Sequence, residues 1–243
     1  MKQSDAVYTA MQTNGGYATL AQLYTLAPHI PGSQWGTKTP FATVRRIVQD
    51  DPRFFKITPG LWALEARRDA VLRQFEISAN RPAAAETFNH TYYQGLLLEI
   101  GSLRHHATFV PHQDKNRLFL NRRLADIATL TEFYPFTFPD VLKDGRTVDV
   151  TWFNERRYPR AFFEVEHSTD IYNSLRKFTS FQDFTIEFHI VADGLRRREF
   201  EQKVQETAFA SIQKRVKFLD YETLASLHSS ETQTALMRQS AGL

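Results

Sequence analysis

The segment Val148–Asp170 reads VDVTWFNERRYPRAFFEVEHSTD. Two runs rich in β-branched and aromatic residues flank the polar NERRYPR, a pattern that predicts two strands joined by a short turn. Side chains alternate across a strand. Asp149, Thr151 and Phe153 therefore share one face of the first strand, and Val148, Val150 and Trp152 the other. On the second strand Glu164 and Glu166 project together, opposite Phe163 and Val165. Residues two apart stand roughly 7 Å from each other, so their charges repel, and Asp149 on the adjoining strand adds a third. Either the acids share protons, with coupled and raised pKa values, or a cation lies among them. Mg²⁺ suits the second case, because it takes oxygen ligands and retains several waters. Two of these carboxylates and the Val165 carbonyl would form half of its shell, leaving positions for water and a phosphate oxygen. The plain alternative is an edge strand with two glutamates on its solvent face. The second acid-bearing apolar strand weighs against that alternative.

Working outward, strands separated by helices fill the chain from His90 onward. TYYQGLLLEIGSLRHH reads as a helix, ATFVPHQD as a strand and turn, RLADIATL as a short helix, DIYNSLRKFTSF as a helix, FTIEFHIVAD as a strand, LRRREFEQKVQETAF as a helix, and VKFLDYETLASL as a strand and helix. The fold class is mixed α/β. The polar end, SSETQTALMRQSAGL, reads as frayed.

Residues 4–66 form a separate unit. Ser4 or Asp5 caps a helix through Met11, NGG ends it, and Thr19 caps a second helix in ATLAQLYTLA. A third helix lies in TKTPFATVRRIVQDDP, with Thr39 as cap and Pro40 in the first turn. RFFKITPGLWALE gives two short strands about a Pro-Gly turn. Three helices and a hairpin are the pattern of a winged helix. Residues 67–89 read as a polar helix followed by a linker or connecting helix, ANRPAAAETF, which divides the chain into 1–66, 67–89 and 90–243.

Composition sets outer bounds. The chain has 243 residues, 42% hydrophobic and 13% aromatic, enough for a real core. A formal charge of +3 permits a polyanion partner without demanding one. The absence of cysteine excludes disulfides, thiolate metal sites and cysteine nucleophiles, and suits a reducing cytoplasm. No apolar run approaches the roughly 18–20 residues of a membrane span. No Walker-type glycine pattern is present, so no nucleotide cofactor is expected.

Asp149 followed by Glu164-Val165-Glu166 resembles the PD-(D/E)XK nuclease signature of many restriction endonucleases. The resemblance covers about residues 90–220, with α-β-β-β-α-β order. It implies a Mg²⁺-dependent hydrolase of phosphodiester bonds in duplex DNA, with Mn²⁺ as a substitute ion. Asp149, Glu164 and the Val165 carbonyl would hold the metal, and Glu99 would be an auxiliary acid on the preceding helix. Glu166 stands where lysine is usual; either it serves as general base or Lys177 reaches back as a displaced lysine. Cleavage of both strands implies a homodimer. The N-terminal unit, with GGYATLAQLY, GTKTPFATVRRIVQDD and RFFKITPGLWAL, resembles the HARE-HTH winged-helix domain. That resemblance would place Lys38, Thr39, Thr43, Arg45 and Arg46 at a DNA groove and Lys56 in the wing. The competing expectation is a catalytically degenerate DNA-binding or regulatory protein, or an interaction module of a defence complex.

Overall fold

The computed structural model describes residues 1–77, 82–168 and 170–242. Two units emerge, residues 1–85 with 225–243, and residues 86–224. These limits differ from the 66/67 and 89/90 divisions expected from sequence.

In the first unit α1 (Gln3–Thr13) is followed by β1 (Tyr17–Thr19), α2 (Leu20–Leu26), α3 (Pro40–Asp50), β2 (Phe54–Thr58), β3 (Leu61–Leu64) and α4 (Arg68–Gln74). The strands form an antiparallel sheet in the order β1-β3-β2. Strand β1 has no counterpart in the sequence reading, because three residues carry too little alternation. Gly15 and Gly16, both at positive φ, end α1 as NGG suggests. Helix α2 starts at the expected Thr19, in a complete capping box with Gln22. The other two caps differ from expectation. Lys2, not Ser4 or Asp5, precedes α1, and Thr39 precedes α3 without a side-chain cap bond. Val7, Met11, Leu23, Val44, Val48, Phe54 and Leu64 form the core.

The second unit begins on α5 (Pro82–Leu103), which extends back through much of the expected linker; residues 79–81 of that linker lie outside the described residues. There follow β4 (Ala107–Phe109), the small hairpin β5 (Leu118–Phe119) and β6 (Arg122–Arg123), α6 (Leu124–Ile127), α7 (Pro139–Gly145), β7 (Val150–Phe153), β8 (Pro159–Glu166), α8 (Ile171–Thr179), β9 (Glu187–Ala192), α9 (Arg197–Val204), β10 (Val216–Asp220) and the start of α10 (Tyr221–Ser240), which belongs to the first unit from Ala225 onward. The sheet order is β10-β9-β8-β7-β4. Strands β4, β7 and β8 are antiparallel, and β8, β9 and β10 are parallel. On one face Phe153, Phe162, Phe188 and Ile190 pack with Ile171, Leu175 and Phe178 of α8. The other face carries Trp152, whose indole N–H donates to the Leu97 carbonyl of α5 at 3.0 Å. Gly101 permits that approach, since a Cβ there would stand 2.5 Å from Thr108 and 2.6 Å from Trp152.

The expected frayed end is instead helical to Ser240. Leu236 packs against the core of the first unit, and apolar burial compensates for the polar composition.

Candidate active site

The β7–β8 hairpin builds the site. Val150 pairs with Phe163, so continuing the register sets Asp149 opposite Glu164. Asp149, Glu164 and Glu166 are all buried. Asp149 Oδ2 accepts the Val165 N–H at 2.7 Å, which fixes its carboxylate at the end of the ladder. Alternation turns Glu164 and Glu166 toward α8. Asp170 caps that helix through the Tyr172 N–H, and Ser174 and Lys177, one turn apart, face the strand. Lys177 Nζ lies 2.7 Å from Glu164 Oε1 and donates to the Thr147 carbonyl at 3.1 Å. The Ser174 hydroxyl donates to Glu166 and lies 3.3 Å from Glu164 Oε2. Burial first, and the Asp149 charge second, push Glu164 up to about 8 against the pull of Lys177.

On its other side Asp149 meets α5. His90 Nε2 lies 3.6 Å from Asp149 Oδ1. Gln94, one turn on, donates from Nε2 to the Asp149 carbonyl at 3.2 Å and to Asp114 Oδ2 at 2.9 Å. Burial works to lower the His90 imidazole, but the neighbouring Asp149, with Asp114 behind it, holds it above its ordinary value.

The sequence-derived residues divide clearly. Asp149, Glu164, Val165, Glu166 and Lys177 are brought together. Glu99 is not: nine residues from His90, it falls roughly half a turn around α5, 3.5 Å from Arg122. His90, Gln94, Asp114 and Ser174 escaped the sequence reading. The one available signal was the i, i+4 spacing of His90 and Gln94 in HTYYQ. In the first unit Lys38, Thr39, Arg46 and Lys56 are exposed. Thr43 is buried, its hydroxyl donating to the Thr39 carbonyl at 3.0 Å, so it is turned away from any groove. Arg45 donates to the Tyr24 hydroxyl at 3.1 Å.

No curated protein and no solved structure matches the chain. The family described as the type II restriction enzyme NmeDI C-terminal domain matches residues 71–241. That span contains the acid hairpin, α8 and the whole second sheet. The matched residues exceed half of the chain, and with the paired acids at their centre they show that the chain belongs to the NmeDI C-terminal-domain family of type II restriction enzymes.

Proposed function

We propose that the protein is a Mg²⁺-dependent restriction endonuclease of the PD-(D/E)XK type that hydrolyses phosphodiester bonds in duplex DNA as a homodimer. The observation that carries this reading is Lys177 at 2.7 Å from a buried Glu164 that stands in register with Asp149, inside the span matched by a restriction-enzyme family.

The residues fit a hard cation. Burial first, and the Asp149 charge second, raise Glu164, and a bound divalent ion would favour its ionised form. Asp149 and Glu164 would hold it with the Val165 carbonyl. In antiparallel pairing a residue directs its N–H and C=O to the same neighbour. Val165 spends its N–H on Asp149, so its carbonyl faces the same side, beyond the start of β7. Mg²⁺ in such a site neutralises charge developing on a phosphodiester and lowers the pKa of its water.

The chain's own groups do the rest. Asp149, pinned by the Val165 N–H, supplies a carboxylate of fixed direction. Lys177 replaces the ammonium that the Glu166 position lacks and stabilises negative charge beside Glu164. Glu166, held by Ser174, is the acceptor for a proton from the attacking water. The first unit would act as a winged helix, with Lys38, Thr39 and Arg46 toward DNA and Lys56 in the wing. The salt dependence of DNA binding would report how many phosphate contacts they make.

The test is cleavage of plasmid DNA, modified and unmodified, with and without Mg²⁺, by the wild type and Asp149→Ala. Mg²⁺-dependent cutting that Asp149→Ala abolishes is the expected result. A folded wild type that cuts no DNA and binds no Mg²⁺ in calorimetry would leave a DNA-binding protein with a degenerate site.

A further inference from the structure

We propose that His90, Asp114 and Asp149 form a binding site for a first-row transition ion, with the Gln94 amide oxygen as a further donor. The site shares Asp149 with the all-oxygen Glu164 pair, takes an imidazole nitrogen that the pair lacks, and does not rest on the nuclease reading. Three separate elements converge on it: α5 brings His90 and Gln94, the turn after β4 brings Asp114, and the residue before β7 is Asp149. One ligand atom from each of His90, Asp114 and Asp149 lies within 4.8 Å of the other two.

Gln94 is the independent observation. It is fully buried, and among the described residues its Oε1 has no hydrogen-bond partner. A buried acceptor left without a donor is costly and calls for an explanation. Exchanging the two ends of the amide gives no relief, because Nε2 already faces two acceptors, Asp114 Oδ2 and the Asp149 carbonyl. The unused oxygen thus belongs to an amide wedged between two of the three residues. A cation supplies what that oxygen lacks.

Asp149 is also divided suitably. Its Oδ2 is taken by Val165, while Oδ1 faces His90 Nε2 at 3.6 Å. That is too long for a good hydrogen bond and slightly wider than the ~3.0–3.4 Å edge of a shell with ~2.1 Å bonds. Arg117, 3.0 Å from Asp114 Oδ1 and itself partly exposed, is the present counter-charge and can turn outward. Imidazole combined with carboxylate selects Mn²⁺, Co²⁺ or Zn²⁺ over Mg²⁺ and Ca²⁺.

The test is metal binding by the full chain, with Mn²⁺ followed by calorimetry and Co²⁺ by its visible absorption. Wild type is compared with His90→Gln, Asp114→Asn and Glu164→Gln. The expected result is a Mn²⁺ and Co²⁺ site that His90→Gln and Asp114→Asn each weaken by at least ~10-fold and that Glu164→Gln leaves in place. If Asp114→Asn fails to fold, the half-buried His90 decides alone. The proposal is overturned if wild type binds neither ion, if His90→Gln binds both as wild type does, or if only Glu164→Gln removes binding. DNA cleavage is not read, so failure of the nuclease reading leaves this result intact.

Discussion

Lys177 is the ammonium in hydrogen-bond contact with Glu164, and its removal is a sharp test at the scale of one side chain. Lys177→Met leaves a buried carboxylate crowded by Asp149 and without its ion pair. Cleavage should fall by at least about 10²-fold while the chain stays folded by circular dichroism; unchanged cleavage would transfer the role to Glu166. His189 offers a pH test. It stacks on Phe163 at 4.7 Å and lies 3.6 Å from Glu187. Burial pushes its imidazole down to about 4; Glu187 draws it up, while Lys217 and Arg160 oppose protonation. The folded value lies below the unfolded one of about 6.5, so the unfolded chain binds the extra proton between the two. Stability contributed by neutral His189 is complete above about pH 6.5 and is lost as pH falls toward 4, with a slope of at most ~1.4 kcal/mol per pH unit. His189→Phe keeps the stacked ring and removes the titration, so the fall in Tm between pH 7 and pH 4.5 should shrink. An identical fall in both proteins would refute the assignment.

At the scale of elements, α2 and α5 depend on different local devices. The Thr19–Gln22 box satisfies two N-terminal amides of α2, and Thr19→Ala should cost about 1 kcal/mol in denaturant unfolding. Helix α5 gains its position from what it lacks. A Cβ at Gly101 would meet Thr108 and the buried Trp152 indole, neither of which has room to retreat. Gly101→Ala would favour the helix by about 1 kcal/mol in isolation, yet overpacking of about 1–3 kcal/mol outweighs it. A lower Tm is expected, and a higher one would show that the sheet yields to α5.

For the whole molecule, the end of the chain matters more than its polarity suggests. Residues from Ala225 onward belong to the first unit, where Leu236 packs on a core that includes Val7, Leu23 and Val44. A chain ending at Leu224 should lose protection of α1 amides in hydrogen exchange, while the β7–β8 hairpin amides stay protected. Equal protection of α1 in both chains would show that α10 adds nothing to that core.

By itself the sequence determined the hairpin, the face that each acid occupies, the α-β-β-β-α-β order, and the caps that glycine and threonine make at α1 and α2. These are local properties, set by two-residue alternation and by backbone chemistry within a few positions. Only the tertiary structure decided what surrounds the acids. Gln94 reaches the carbonyl of Asp149 across 55 positions, Lys177 meets Glu164 across 13, and Glu99 on the same helix as Gln94 faces elsewhere. Which side of a helix covers a carboxylate depends on how whole elements pack. Thr43 turned inward for the same reason, and the polar final helix is ordered because an apolar side chain there finds a core that no local pattern discloses.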